Sequence, residues 1–215
     1  MAVNLAYLTS GILLLGVIIL VFYNYFYKPG RRDRELLLQG VHEMHDNFEQ
    51  TTQISTIIKD RSEIILPGHG NGLTFKWQMY LEDPQSDRIW STSYAKDKSI
   101  LRIGDSPQIT YNPKYNILKL TLKYRETPFY AHYPIIELKN IPLRRWNSYI
   151  VVINGTQIHI YLNGKLVISK ILPSDPIIAT DDIILGHKNN NIQGKLSEFT
   201  VFFRPYNTQD IKLIL

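Results

Sequence analysis

The chain has 215 residues, a formal net charge of +5, 44% hydrophobic and 20% charged residues, and no cysteine. That balance can bury a core and excludes wholesale disorder. The lack of cysteine excludes a disulfide framework, a thiolate zinc site, an iron–sulfur cluster and a cysteine nucleophile.

From Leu5 to Tyr27 the sequence reads LAYLTSGILLLGVIILVFYNYFY, 23 positions without a charge. A helix of that length spans about 35 Å, enough to cross a hydrocarbon core of about 30 Å. Tyr23, Tyr25 and Tyr27 sit where an interfacial aromatic belt belongs. No basic stretch precedes the run and no small-residue cleavage site follows it, so the spacing predicts a retained anchor over 1–27 and not a cleaved signal.

The positive charge is local. Residues 28–34 read KPGRRDR and carry +3; the remainder holds 20 basic and 18 acidic residues. A nearly neutral remainder lacks the basic stripe that phosphate binding needs, which argues against a nucleic-acid partner. Lys28, Arg31, Arg32 and Arg34 follow the apolar run directly. By the positive-inside rule they orient it, placing the C-terminal domain on the cytosolic face of a single-pass membrane protein with the lipid bilayer as its first partner.

Residues 28–53 are expected to form a basic juxtamembrane stretch and a short amphipathic connector. Leu37, Val41, Met44 and Phe48 recur at helical spacing. His42 and His45 are three apart, but two ligands without a third make no metal site.

Over 54–215 the period changes to two. LTFKWQMYL (73–81) and ILKLTLKY (117–124) alternate apolar and polar side chains, the pattern of half-buried antiparallel strands. In WNSYIVVINGTQIHIYLNGKLVISKIL (146–172) two Asn-Gly pairs, Asn154-Gly155 and Asn163-Gly164, separate alternating runs. Both predict type I′ hairpin turns, so this stretch supplies three consecutive antiparallel strands. Strands are also expected at DIILGH (182–187) and KLSEFTVFFR (195–204), then a short helix after Asn207 with Ile211, Leu213 and Leu215 for packing. The expected fold is all-β, an antiparallel β-sandwich.

The order of blocks carries a resemblance. IPLRRWN (141–147), IYLNGKLV (160–167), ILPSDP (171–176), the Leu-Gly at 185–186 and GKLSEFTVFFRPYNTQDI (194–211), with LTFKWQMYLED (73–83) and NPKYNILKL (112–120) before them, resemble the laminin-G-like branch of the concanavalin A-like lectin/glucanase superfamily over about residues 60 to 215. The resemblance implies a concanavalin A-like jelly roll. Within it Trp146 is expected to anchor the core between the sheets. Asn163 and Gly164 make the turn that sets register. Gly194 starts a strand where a side chain would collide. An Arg204–Asp210 ion pair is expected to pin the last turn.

An anchor joined to such a domain is also similar to proteins of large DNA viruses of algae and protists, some of them virion proteins. That resemblance implies a non-enzymatic minor capsid protein linking an internal viral membrane to the capsid shell, with capsid or other virion proteins as partners. The alternative is a membrane-anchored carbohydrate-binding adhesion module.

The sequence offers no catalytic residue, metal ligand or cofactor site. The glucanase branch needs carboxylates at alternating strand positions. Glu82-Asp83 and Asp181-Asp182 are adjacent and would face opposite sheets. Gly68-His69-Gly70-Asn71-Gly72 precedes a strand, not the helix N-terminus that holds phosphate. Asp97, Asp105, Asp181 and Asp182 are loop acids of the kind a rim calcium ion would use, yet they match no family calcium motif. Trp90 and Tyr94 are candidates for stacking on sugar, with Trp90 expected in the core. Asn154-Gly155-Thr156 fits the N-glycosylation pattern but is explained by its turn.

Carbonate extraction of the full chain is expected to leave it in the membrane pellet, while a chain beginning at Arg34 is expected in the supernatant. A mature chain beginning after Tyr27 would contradict the anchor.

Overall fold

The structure, a computed structural model, describes residues 34–44, 48–52, 72–82, 96–127, 130–179, 181–188 and 192–214. The expected anchor at 5–27 lies outside the described residues, as do Lys28, Arg31 and Arg32. No helix among the described residues is long and apolar enough to cross a membrane.

In chain order the elements are β1 (Arg34–Leu36), β2 (Val41–Glu43), β3 (Glu49–Thr52), β4 (Leu73–Leu81), β5 (Lys98–Ile103), β6 (Gln108–Asn112), β7 (Ile117–Thr121) and β8 (Lys123–Thr127). There follow β9 (Tyr130–His132), β10 (Ile135–Lys139), β11 (Trp146–Asn154), β12 (Gln157–Leu162), β13 (Lys165–Ile171), β14 (Pro176–Ile177), β15 (Ile183–Gly186), β16 (Gly194–Phe202) and helix α1 (Thr208–Ile214). One sheet runs β1-β16-β4-β11-β12-β13, with β2 also on β16; a second runs β10-β7-β6-β5-β15-β3; a small third is β14-β8-β9. Every pairing is antiparallel.

Alternation builds the core. Leu73, Phe75, Trp77, Met79 and Leu81 of β4 and Tyr149, Val151 and Ile153 of β11 point inward, where they join Leu101, Ile109, Leu118, Leu120, Ile136 and Leu185 of the second sheet in one buried cluster. At its centre the Trp77 ring lies between Tyr149 and Phe199, with centroids 5.1 and 5.4 Å away and nearly parallel planes. Phe199 reaches this layer through a bulge. The register of β16 on β4 skips between Ser197 and Thr200, and Glu198 takes φ +52. The extra residue shifts the inward phase from Leu196 to Phe199 and Val201.

The other face of the first sheet carries a second cluster of Ile150, Val152, Tyr161, Phe202, Tyr206 and Ile211. Helix α1 covers it. Asn207 caps that helix, its Oδ1 accepting from the backbone N–H of Gln209 and Asp210 at 2.8 and 3.0 Å, while Asp210 Oδ2 accepts from the Asn207 N–H at 3.1 Å. This is a capping box. Asp210 therefore closes the cap where the sequence suggested an ion pair to Arg204, whose guanidinium instead lies over the Tyr206 ring at 4.6 Å. Ile211 is buried as expected, but Leu213 is exposed.

The connector differs from the helix its spacing predicts. Residues 34–52 contribute β1, β2 and β3, so the sandwich begins at Arg34 and not at residue 54. The cause is tertiary pairing. The N–H groups of Leu37 and Leu38 donate to the Phe199 carbonyl and that of Met44 to the Gly194 carbonyl, both on the otherwise open edge of β16. Gly40 turns the chain between them at φ +80. Leu37 and Met44 are buried as a helix face would require, but Val41 points to solvent. Arg34 opens β1 opposite Phe202, so the last residue of the basic cluster belongs to the sandwich.

The two Asn-Gly pairs behave differently. Asn163 and Gly164 both have positive φ, +50 and +78, the type I′ geometry. At the other hairpin Asn154 still pairs with Gln157, so the loop is Gly155-Thr156, and of these two only Gly155 has positive φ. Glycine in the first loop position is the type II′ arrangement.

Trp77→Ala is expected to cost about 3–5 kcal/mol, as for other large aromatic deletions in a core. Tyr149→Phe keeps the stack and removes a buried hydroxyl that has no hydrogen-bond partner. It is expected to leave stability within about 1 kcal/mol of the parent or to raise it. Urea unfolding of both variants checks the pair, and a large loss in Tyr149→Phe would contradict it.

Candidate binding surface

The central strands β4 and β11 turn two aromatic residues outward, Tyr80 and Trp146. Inward positions of β11 are odd-numbered, so Trp146 at its start falls on the outer face and is 41% exposed. This corrects its expected place in the core, which Trp77 fills instead at 0% exposure. Trp146 pairs in register with Tyr80, also outward on β4, and the rings meet at 5.9 Å and a 56° tilt. Lys195 lies beside Tyr80 on β16 and pairs with Glu43 at 2.8 Å. Arg144 and Arg145, immediately before Trp146, are exposed.

An amide network centred on the buried Asn147 fixes this surface. The Asn147 side chain is buried beneath it; its Nδ2 donates to the carbonyls of Pro142 at 2.7 Å and Arg145 at 3.1 Å. Its Oδ1 accepts from Asn163 Nδ2 at 3.0 Å, and Asn163 Oδ1 accepts from the Ser148 N–H at 2.9 Å. The Arg144 N–H donates to the Leu81 carbonyl at 2.7 Å, with Arg144 itself at φ +56. A non-glycine residue in that region costs of order 1 kcal/mol. The loop is thus held in one conformation that presents Arg144, Arg145 and Trp146 together. Asn163 therefore does more than turn the chain: it locks the hairpin to the loop before β11. At Gly194, where β16 starts, a Cβ would overlap the Tyr80 carbonyl oxygen.

Two of the loop acids, Asp97 and Asp105, are engaged elsewhere. Asp97 accepts from Asn112 Nδ2 at 2.7 Å and from Lys119 Nζ at 2.8 Å. Asp105 pairs with Lys123, whose hydrogen bond holds the Asp105 carboxyl below its ordinary pKa. A lowered folded value means the pair's small stabilising contribution is present above the ordinary carboxylate range and fades as pH falls through the folded value. Asp181 and Asp182 were expected on opposite faces. They precede β15 in a bend, where strand alternation does not apply, and both line an open cleft of about 380 Å³ with Arg102, Gly104 and Ile184. The Asp181 carboxylate packs on the Gly104 backbone. Among the described residues no group of three or more acids and histidines is gathered for a metal ion. His42 shares a hydrogen bond with the Gln39 carbonyl at 2.9 Å. Glu82 is exposed beyond β4. Asp83, Trp90, Tyr94, His45 and residues 68–71 lie outside the described residues, while Gly72 sits at φ +76 against the Ile153 carbonyl.

Sequence reasoning missed the Trp146–Tyr80 surface and the Asn147 hub. The parity signal was present: counting back by twos from Ile153 through Val151 and Tyr149 reaches Asn147, not Trp146. Asn163→Ala removes two hydrogen bonds and a favourable αL residue, and is expected to cost about 1–3 kcal/mol in urea unfolding. Asn163→Gly keeps the backbone freedom and is expected to cost less. Asn163→Gly loses the same two hydrogen bonds, so a glycine variant as stable as the parent would mean that the amide network contributes nothing.

Comparison with known proteins agrees with the geometry. Residues 71–212 match a laminin-G family model described as the Concanavalin A-like lectin/glucanases superfamily. The chain is similar in structure to the binding domain of Paraclostridial Mosquitocidal Protein 1, with a TM-score of 0.60 and 16% identity over 85% of this chain and 46% of that one. It is similar also to the Botulinum Neurotoxin serotype G binding domain, with a TM-score of 0.57 and 16% identity over 84% of this chain and 45% of that one. The chain thus spans about half the length of these structures, and at such identities the likeness concerns the fold. No curated protein matches it. The family match covers well over half of the sequence, and the chain belongs to the concanavalin A-like lectin/glucanases superfamily.

Proposed function

We propose that this protein is a non-enzymatic binding module that presents the Trp146 surface to a protein partner. The observation that carries the reading is the exposed Trp146 with Tyr80, Arg144 and Arg145, beside a loop fixed by the buried Asn147 amide. Trp, Tyr and Arg dominate binding hot spots, and a surface fixed before encounter loses little entropy on binding. The loop acids Asp97 and Asp105 support it, being used in ion pairs with Lys119 and Lys123. The similar solved structures support it too, since both are binding domains.

In the finer reading, residues 5–27 hold the module at a bilayer and the cluster Lys28 to Arg34 keeps it on the cytosolic face. A membrane taken from inside a cell and then covered by a shell turns that face outward. The partner in this reading is a capsid protein, and the protein is a minor structural component joining the internal membrane of a large DNA virus to its capsid. Repetition across a shell would add avidity to modest individual contacts. A second reading, an anchored glycan-binding module, is favoured by the same indole, whose exposed face suits stacking on sugar.

A photo-reactive aromatic residue at position 146 of the full chain tests the choice. Cross-links to shell proteins in intact particles, with the sandwich digested by protease from the cytosolic face of intact membranes, are expected. Cross-links to glycans, or digestion from the luminal side only, would overturn the capsid reading and leave the glycan-binding one.

A further inference from the structure

The sheet edges are not protected alike. On the first sheet one edge is covered by the three-residue strands β1 and β2, with Gly40 turning the chain between them. The second sheet ends in four-residue β3 and in β10, whose outward residues Ile135, Glu137 and Lys139 mix apolar, acidic and basic groups. The third sheet ends in strands of two and three residues. Strand β13 is the exception. It is seven residues long, and among the described residues no strand pairs with its outer edge.

That edge is also unusually apolar. Leu166 is 51%, Val167 43% and Ile171 72% exposed. Val167 is the extra residue of a bulge, because Ile160 pairs with Ile168 and Tyr161 with Leu166. Ile168 alone tucks against the core. An open row of backbone donors and acceptors flanked by exposed apolar side chains is a template for another strand. Its charges choose the strand. Lys165 and Lys170 are exposed, and no acid occurs from Asn163 to Leu172. A second copy is a poor match, since two β13 edges would bring four lysines onto one ladder in a chain already at +5.

We propose that the free edge of β13 is a strand-addition site for an extended, acidic segment of a protein partner. Main-chain hydrogen bonds would supply the ladder, Leu166, Val167 and Ile171 the apolar contacts, and Lys165 and Lys170 the selection by charge. The site is separate from Trp146, so either can fail without the other.

The test uses the full chain and two synthetic strand-forming peptides that alternate valine and threonine, one flanked by glutamates and one by lysines. Amide hydrogen exchange locates binding and fluorescence anisotropy measures it. The acidic peptide is expected to slow exchange at 165–171 and to bind at least about tenfold tighter than the basic one. The doubly substituted Lys165→Glu, Lys170→Glu chain is expected to reverse that preference, and Trp146→Ala to leave it intact. Equal affinity for both peptides, protection elsewhere on the sandwich, or no protection would overturn the proposal. Protection at 165–171 that grows with protein concentration and needs no peptide would overturn it in favour of a second copy.

Discussion

Trp77 lies between Tyr149 and Phe199, one ring from each of three neighbouring strands, β11, β4 and β16. That layer sets the register of the first sheet. A slip of one residue between any two of these strands would turn an aromatic ring into solvent and expose its neighbours with it. Offset aromatic pairs add about 0.5–1.5 kcal/mol beyond the area they bury. The Tyr149 hydroxyl and the Trp77 indole N–H both lie in the layer without a hydrogen-bond partner. Burial, with Tyr111 nearby, raises the Tyr149 pKa well above its ordinary value, so this hydroxyl stays neutral. The layer tolerates two unsatisfied polar atoms because the stacked surface is large.

The same register decides what the outer face displays. With odd-numbered residues of β4 and β11 committed inward, Thr74, Lys76 and Tyr80 of β4 and Trp146 of β11 must point outward. At one end the C-terminal segment takes up this face. Thr74 Oγ1 donates to the Arg204 carbonyl at 2.9 Å and accepts from the Tyr206 N–H at 3.0 Å, and Lys76 donates to the Ile214 carbonyl. At the other end Trp146 meets the Tyr80 ring and remains 41% exposed. A half-covered outer face leaves the exposed half for recognition.

Much of this was legible in the residues. Alternation at 73–81 and 117–121, and the Asn163-Gly164 turn, lead directly to the antiparallel sandwich, because each is a local rule that the tertiary structure also obeys; the expected strand at 117–124 is instead split at Leu122 between β7 and β8, in different sheets. The failures share a cause, which is that long-range pairing overrules local pattern. Leu37 and Met44 have helical spacing but are buried by hydrogen bonds to a strand more than a hundred residues away. Glu198 shifts the phase of β16 because the Trp77 layer demands Phe199. The Trp146 position was misjudged from residue type, since a tryptophan opening a central strand suggests a core anchor, whereas its parity against Tyr149 places it outside. Asp181 and Asp182 come together because they occupy a bend. No spacing rule could have shown Asn147 as the hub of the loop, since its partners are the carbonyls of Pro142 and Arg145 and the amide of Asn163.

The division between a core face and a recognition face rests on Trp146 more than on any other residue. Its replacement by alanine in the full chain, followed by both unfolding free energy and partner capture, tests that division most directly. Stability within about 1 kcal/mol of the parent, as for a surface residue, together with loss of the cross-linked partner, is the predicted result. A loss of about 3–5 kcal/mol, the signature of a core aromatic, or undiminished capture by a stable variant, would contradict it.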